Sequence, residues 1–404
     1  MSQIDRRHAL KLLAGIGATG LLAACGRGSQ SEDGAQLVST EQVKIGLIAP
    51  QTGGYSAIGE DIIRGFRLFL ELNDGLLGNH PVQLLTPDEG DTADSGKAAL
   101  EGLLKQGVLA LTGIASSAVM LGIRDIVEQA RVPLVGSNAS PAGLQGVVYI
   151  WRTSYVNDEP GRALGPYVAA QIKPTEKVGI IAPDSPSYPA GRDSVKGFRE
   201  EFGTGVNDPR LSAPIWTEFD TAPVRGSLTP KIGQLLAGNP AAVYCFFAGQ
   251  AAIEFIRAMW AAGYRGPIYS PGFLTEGIQL SDLDEQEVSK VFTALNYSPD
   301  LDNNANRTFA SAYRKLYSAT PTTYAVASYD AAQVLDTAIR LAGEHPTPQS
   351  VNLALSRVGQ VASPRGDWQF NQPRTPQQRW YLRRVQRDGP VLANVLVDEL
   401  ATLG

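Results

Sequence analysis

The apolar and polar positions from Val43 onward alternate between two periodicities. Short apolar runs predict buried strands at VKIGLIAP (43–50), VLALTG (108–113) and VPLVGS (132–137). Between such runs, apolar residues recur at helical spacing, as in EDIIRGFRLFLELND (60–74). Strands that alternate with helices predict a parallel, doubly wound α/β sheet.

The same alternation begins again after the helical segment GRALGPYVAAQI (161–172). Four further strands are predicted, at KVGIIAPD, APIWTEFD, AAVYCFF and PIYSPG, with helices between them. A late helix (323–343) and an antiparallel pair, GDWQFN and RWYLRRVQRDG, complete the pattern. The predicted fold class is therefore α/β, with two doubly wound Rossmann-like lobes.

Length and composition narrow the functional classes. The 404 residues suffice for about two domains. A net charge of −5 argues against nucleic acid as a partner. The three histidines, His8, His80 and His345, lack metal-ligand spacing, and no nucleophile elbow or phosphate-binding loop occurs. We therefore expect no metal, no cofactor and no enzymatic activity; an extracytoplasmic enzyme is the disfavoured alternative.

The amino terminus predicts export. Arg6-Arg7 precedes a short apolar run that ends in Leu-Ala-Ala-Cys at Cys25, which resembles a lipoprotein signal. The run is short for a membrane-spanning helix. We expect residues 1–25 to be a twin-arginine-like signal, Cys25 to carry lipid, and residues 26–42 to form a flexible tether. An ordinary secretory leader, with export by the general route, is the alternative.

Small and polar residues follow two neighbouring strands. VLALTGIASSA ends at the start of a predicted helix with Ser117, and VPLVGSNASP ends in Asn138, Ala139 and Ser140. Ligands bind beyond the carboxyl ends of strands in open α/β sheets, and N–H groups at helix starts attract anions. Helix capping alone also explains these residues. A third strand end, QTGGYSAIGED (51–61), presents Tyr55 at the same edge.

Other candidate groups have simpler interpretations. The acidic residues Asp88, Glu89, Asp91 and Asp94 are expected to form a solvated loop rather than a metal site. Cys245 lies inside the apolar run AAVYCFF and is expected to be a buried core residue.

The ordered set of motifs resembles the type I periplasmic-binding-protein family, in its leucine/isoleucine/valine-binding branch. The resemblance extends from Val43 to the end of the chain and includes LIAPQTGGYSAIGEDIIRGFRLFLELND, WRTSYVNDEPGRALGPYVA, DSPSYPAGRDSVKGF and ASYDAAQVLDTAI. It implies two lobes joined by three hinge strands and closing over a ligand. It further implies that lobe one comprises residues 43–157 and 294–358, and lobe two residues 158–293 and 359–404.

The resemblance also assigns site residues. Ser117 and the turn Asn138-Ala139-Ser140 match the positions that hold the α-carboxylate of an amino acid. Tyr188 matches a tyrosine that covers the ligand from lobe two.

The chain departs from this pattern where the family keeps a glutamate for the ammonium group. That position falls on Gly272, and Glu276 is the nearest acidic residue after it. A second family tyrosine falls beside Phe247 and Gln250. A ligand without an α-amino group is therefore an alternative to an amino acid, and a flat or apolar ligand would suit Tyr55 and Phe273.

The function implied is that of an extracytoplasmic solute-binding protein. It would bind an amino acid or a related small carboxylate or amide. It would deliver the ligand, as a lipid-anchored monomer, to an ABC permease with its cytoplasmic ATPase. A sensor that uses the same two lobes to signal to a membrane partner is the alternative.

Overall fold

A computed structural model describes residues 38–144, 146–185, 188–220 and 223–404. The predicted signal, Cys25 and all of the predicted tether before Val38 lie outside the described residues.

The first lobe is built on a six-stranded sheet with strand order β2-β3-β1-β4-β5-β6. Its strands are β1 (Val43–Ile48), β2 (Leu76–Leu77), β3 (His80–Leu85), β4 (Ala110–Gly113), β5 (Leu134–Gly136) and β6 (Ile150–Arg152). All neighbours run parallel except the hairpin of β2 and β3. The helices between the strands are α1 (Ser56–Leu72), α2 (Ala93–Lys105) and α3 (Ser117–Ala130).

The second lobe is built on a nine-stranded sheet, in which β15 pairs with β14 and the other strands follow the order β12-β13-β14-β11-β10-β9-β7-β8. Its strands are β7 (Val178–Pro183), β8 (Ile215–Thr217), β9 (Ala242–Cys245), β10 (Ile268–Pro271), β11 (Val291–Leu295), β12 (Gln360–Val361), β13 (Trp368–Phe370), β14 (Pro376–Asp388) and β15 (Val391–Leu403). Its helices are α4 (Glu159–Gln171), α5 (Ala190–Glu201), α6 (Thr229–Ala237), α7 (Gly249–Ala261), α8 (Glu285–Val288) and the 3₁₀ turns Gly272–Leu274 and Gly277–Asp282.

Three later helices pack on the first lobe. They are α9 (Asn304–Tyr317), α10 (Thr323–Ala342) and α11 (Pro348–Leu355). Gly65 on α1 lets α10 approach closely, since a Cβ at this position would lie 2.0 Å from the carbonyl oxygen of Ala325. Helix α10 therefore packs against α1 with their backbones in direct contact.

The chain crosses between the lobes three times, and the crossings meet at one backbone oxygen. The carbonyl of Ser154, in the first crossing, accepts hydrogen bonds from Asn296 Nδ2 at 3.4 Å, Gln378 Nε2 at 2.9 Å and Arg365 Nη1 at 3.3 Å. Asn296 follows β11 at the second crossing, and the other two donors lie beyond the third. One buried acceptor therefore links the three hinge segments.

The predicted fold class, two doubly wound α/β lobes, is confirmed. The predicted final strand pair is incomplete, because β14 also pairs along its length with β15, which sequence analysis missed. Asp388 pairs with Val391, so the tight turn between these strands has Gly389 and Pro390 as its two loop residues, and Gly389 adopts a φ of 60°. Glycine at the first position of a two-residue loop is typical of a hairpin turn.

Candidate functional site

Two tyrosines meet across the cleft between the lobes. Tyr55 precedes α1 in the first lobe and donates a hydrogen bond of 3.0 Å to the hydroxyl of Tyr188, which follows β7 in the second. The ring of Tyr188 stacks on Phe219, with centroids 3.8 Å apart. Each tyrosine is only 7% exposed. Tyr55 and Tyr188 are both predicted site residues, and they lie 133 positions apart in the sequence. The structure brings them into contact, and the cleft is closed over them.

The acidic loop after β3 binds two segments that border the cleft. Asp88 accepts hydrogen bonds from the Gln51 N–H at 2.8 Å and the Thr52 hydroxyl at 2.6 Å, which fastens the loop leading to Tyr55. Glu89 is fully buried, with its two carboxyl oxygens accepting from the N–H groups of Ala115 at 2.7 Å and Ser116 at 2.8 Å. The expectation of a solvated loop was therefore wrong for Glu89.

Burial raises the pKa of Glu89 to about 8, although the two backbone donors oppose this shift. Its carboxyl group accepts hydrogen bonds from the Ala115 and Ser116 N–H groups, which we expected to be free for a ligand. Helix α3 begins at Ser117 as expected, and Ser116 precedes it without a side-chain cap. The Ser117 hydroxyl is buried and accepts a 3.4 Å contact from Asn157 Nδ2.

The turn after β5 is tied to the neighbouring strand end. Asn138 Nδ2 donates to the carbonyl of Ala115 at 2.9 Å, and the Ala139 N–H donates to that of Ile114 at 2.9 Å. The Ala139 N–H is therefore not free for a ligand, contrary to expectation, because it continues the pairing of the two strand ends. Ser140 keeps its hydroxyl beside the buried guanidinium of Arg152, whose Nη1 lies 3.4 Å away.

Burial lowers the pKa of Arg152 to about 10, so the group stays cationic near neutral pH. A cation behind Ser140, together with the start of α3 at Ser117, makes this edge of the cleft suitable for a carboxylate.

An aromatic cluster occupies the inner part of the cleft. The ring of Phe273 lies between those of Tyr155 and Tyr324, each with its centroid 5.8 Å away. Phe246 meets Phe273 edge-on at 6.0 Å. Tyr155 also packs against Trp380 at 4.9 Å. Phe273 was predicted to contact ligand, whereas Tyr155 and Tyr324, from the first hinge segment and the start of α10, were not identified from sequence.

The resemblance placed Phe247 and Gln250 at the cleft. Phe247 stacks on Phe255 in the core of the second lobe, at 4.6 Å, and also lines a cavity with Tyr55 and Tyr188. Its neighbour Phe246 is the residue that reaches the aromatic cluster, since successive residues near a strand end point to opposite sides. Gln250 is solvent-exposed in the first turn of α7 and lies outside this buried set.

Gly272 has no space for the expected acidic side chain. A Cβ at this position would lie 2.7 Å from Arg383 Nη2 and 2.8 Å from Leu295 Cδ1. Arg383 is fully buried, and its Nη1 lies 2.9 Å from Glu276 Oε2. The other oxygen of Glu276 accepts from the Thr323 N–H at 2.7 Å. The glutamate thus pairs with an arginine and with the start of α10, and the arginine fills the space over Gly272.

A contact between the lobes was also missed. Asp193, in the first turn of α5, accepts from the Ala142 N–H of the first lobe at 3.2 Å and from Asn157 Nδ2 at 3.3 Å. Burial raises the pKa of Asp193. This carboxylate joins the two lobes on the side of the cleft that holds Ser117.

Metal ligation and membrane crossing find no support in the described ranges. No group of three His, Cys, Asp or Glu side chains there could hold a metal ion. Every helix there is too short or too polar to traverse a bilayer. Cys245 is a free thiol buried in β9, where burial raises its pKa.

Comparison with known proteins identifies the family. The profile of periplasmic binding proteins matches residues 42–390, which is most of the chain. The chain belongs to the periplasmic binding protein family. Within it, the relatives below place the chain among type I periplasmic binding proteins of the branched-chain amino acid branch.

A Leu/Ile/Val-binding protein homologue of Brucella melitensis is 24% identical over 365 residues, covering 87% of this chain and 90% of the relative. A solute-binding protein of an ABC transporter from R. palustris, solved in complex with benzoate, is 26% identical with a TM-score of 0.80. That alignment covers 90% of this chain and 97% of the other.

A branched-chain amino acid transporter protein from Streptococcus pneumoniae, in complex with isoleucine, shares the fold at 18% identity and a TM-score of 0.76. Its alignment covers 89% of this chain and 100% of that protein.

This periplasmic binding protein is accordingly a solute-binding protein of the ABC-transporter type that binds a small ligand. The family and these relatives are solute-binding proteins rather than enzymes. Family membership implies a location outside the cytoplasm.

Proposed function

We propose that this protein binds a small aromatic carboxylate without an α-amino group and delivers it to an ABC permease. The observation that carries the proposal is the guanidinium of Arg383, which fills the space over Gly272. This ligand belongs to a broader class, which comprises amino acids and other small carboxylates or amides.

The charges around Gly272 disfavour an ammonium group. The family position for an acidic partner holds a glycine, and a buried cation lies 2.7 Å from where its Cβ would be. Glu276 is the nearest carboxylate in sequence, but it is paired with that cation and with the Thr323 N–H. An ammonium here would find no unpaired carboxylate in a low-dielectric site, which makes its burial costly.

The opposite edge of the cleft favours a carboxylate. Ser117 and Ser140 present buried hydroxyls, Arg152 lies behind Ser140, and α3 begins at Ser117. The rings of Phe273, Tyr55 and Tyr188 suit a flat ligand body between the lobes. The R. palustris protein that binds benzoate, at 26% identity, supports the same ligand chemistry.

The first test measures the thermal unfolding of residues 26–404 in the presence of each ligand of a panel. The panel contains benzoate, benzamide, cyclohexanecarboxylate, phenylalanine and leucine. A ligand at 100 times its Kd should stabilise the protein by about 2.7 kcal/mol. We expect a shift with benzoate and none with benzamide or the amino acids. A shift with leucine and none with benzoate would overturn the proposal.

Removing the carboxylate-binding hydroxyls gives a second test. Ser117→Ala combined with Ser140→Ala should weaken binding of the best acid by roughly 10- to 1,000-fold, because each hydrogen bond to a charged group contributes about 1.5–3 kcal/mol and the pair need not add. Ser289→Ala with Ser356→Ala, both exposed, is the matched control. Equal affinity in the two double variants, by isothermal titration calorimetry, would refute the carboxylate assignment.

We also propose that lipid on Cys25 anchors the protein to the membrane after a twin-arginine-like signal is removed. Support comes from the Leu-Ala-Ala-Cys motif and Arg6-Arg7. Cys25→Ser should shift the protein from the membrane to the soluble fraction, and retention would contradict the anchor.

Arg6→Lys with Arg7→Lys should stop export only if the twin-arginine route is used. Loss of uptake of the bound acid in a deletion strain would test delivery to a permease.

A further inference from the structure

A second group of polar atoms lies deep in the cleft. We define the inner polar cluster as Tyr155, Glu276, Tyr324 and Arg383, none of which is more than 3% exposed. Among the described residues, four atoms of this cluster have no hydrogen-bond partner: the hydroxyls of Tyr155 and Tyr324, the Nη2 of Arg383, and the Oε2 of Glu276, which has only its ion pair with Arg383. Buried polar groups are ordinarily paired, so four such atoms in one cleft indicate a missing partner.

The four side chains act on one another electrostatically. Burial raises the pKa of Tyr155 well above its ordinary value, the charge of Glu276 adds to the shift, and the Arg383 cation opposes it. The pKa of Tyr324 is raised by burial and then by Glu276 and Tyr155. Tyr188 contributes to both shifts, so the cluster adjoins the Tyr55–Tyr188 contact in the same cleft.

The ring of Phe273, between Tyr155 and Tyr324, places an apolar surface beside these hydroxyls. A planar ligand that packs against the edge of this group of rings would therefore bring one of its own edges to the inner polar cluster.

The charge balance of the cluster decides which chemical group it can accept. Arg383 and Glu276 neutralise each other, with Nη1 and Oε2 at 2.9 Å. Neither a ligand ammonium nor a second ligand carboxylate would find a free counter-ion in this neutral pair, so either charge would be costly to bury here. A neutral hydroxyl suits the site, because it can accept from Arg383 Nη2 and exchange hydrogen bonds with the two phenols.

We propose that the inner polar cluster recognises a hydroxyl substituent on the ligand, so that the preferred ligands are hydroxylated aromatic carboxylates. The inference rests on the proposed function, since the ligand carboxylate is taken to lie at Ser117 and Ser140. Arg383 and Glu276 then determine specificity, and Tyr155 and Tyr324 contact the substituent.

The test compares ligands that differ in one substituent. Calorimetric Kd values are measured on residues 26–404 for benzoate, 3-hydroxybenzoate, 4-hydroxybenzoate and terephthalate. We expect at least one hydroxybenzoate to bind about 10- to 100-fold more tightly than benzoate, and terephthalate to bind more weakly than benzoate.

The variant Tyr155→Phe with Tyr324→Phe removes two hydroxyls that bond no described residue, so folding should persist; circular dichroism and thermal unfolding verify it. The ratio of the benzoate Kd to the hydroxybenzoate Kd should fall below about 3 in this variant. Tyr264→Phe, in the second lobe away from the cluster, is the matched control and should keep the wild-type ratio.

Three results overturn the inference and leave the proposed function intact. They are equal binding of benzoate and both hydroxybenzoates, a preference for terephthalate, and an unchanged ratio in the double variant. Failure of the wild-type protein to bind any of these acids would instead overturn the proposed function, and the inference with it.

Discussion

Glu89→Gln should remove a pH dependence of stability that originates behind the cleft. Burial raises the pKa of Glu89 to about 8 in the folded protein, against an ordinary value of 4.5. As pH rises, the unfolded chain therefore loses this proton before the folded protein does. The stability that the group contributes is complete below pH 4.5 and is lost as pH rises through about 8.

The magnitude follows from the two pKa values. Each unit of difference is worth 1.36 kcal/mol, so the interval from 4.5 to about 8 corresponds to at most about 5 kcal/mol. Glutamine at this position can accept from only one of the Ala115 and Ser116 N–H groups. Its amide nitrogen faces the other donor, which should cost about 1–3 kcal/mol at every pH.

The assay is urea unfolding of wild type and variant from pH 5 to pH 8.5. Other buried carboxyls titrate in the same range, Glu159 among them, with a pKa raised by burial to about 8, so the difference between the two proteins is the informative quantity. The variant should be clearly less stable at pH 5 and should approach or exceed wild type at pH 8.5. Asp94→Asn, at an exposed position in the first turn of α2, is the control and should give a flat difference.

A difference for Glu89→Gln that does not change with pH would refute this reasoning. It would mean that the two backbone donors keep Glu89 ionised in the folded protein throughout the range.

Two further predictions concern packing and closure. Gly65→Ala should lower the free energy of unfolding by about 1–3 kcal/mol, because its Cβ would lie 2.0 Å from the Ala325 carbonyl oxygen and must push α1 from α10. Gly102→Ala, with open space around it inside α2, should stabilise by about 0.5–1 kcal/mol; equal effects on urea unfolding would contradict the close approach. Asp193→Ala should speed ligand dissociation by about 3- to 10-fold in stopped-flow measurements, since it removes the bond to Ala142 across the lobes. Lys196→Ala on the same helix should not, and equal rates would show that this contact does not hold the closed state.

The sequence predicted the fold well, because the strands are short apolar runs separated by helical periodicity. The location of Tyr55, Ser117 and Tyr188 at the strand ends was predictable for the same reason, since each follows a predicted strand. The partners that decide the chemistry were not identifiable. Arg383 lies on a strand more than a hundred residues after Gly272 and reaches it only through the order of strands in the second sheet.

The burial of Glu89 could not be predicted from local sequence either. In sequence it is one of four nearby acidic residues with nothing to distinguish it from Asp88, Asp91 or Asp94. Its burial depends on the parallel pairing of β1 with both β3 and β4, which brings the loop after β3 under the turn at Ala115. Local pattern carries no information on which carboxylate will face inward.

The Ser154 carbonyl sets the mechanics of any opening of this cleft. Because it accepts hydrogen bonds from Asn296 at the second crossing and from Arg365 and Gln378 beyond the third, any rotation of the lobes that keeps these hydrogen bonds must pivot close to it. A small rotation there is magnified by the lever arm of each lobe, so the Tyr55–Tyr188 and Asp193–Ala142 contacts separate while the pivot keeps its hydrogen bonds. The acceptor belongs to the backbone and no substitution deletes it, so selection can change the stiffness of this joint only through its three donors.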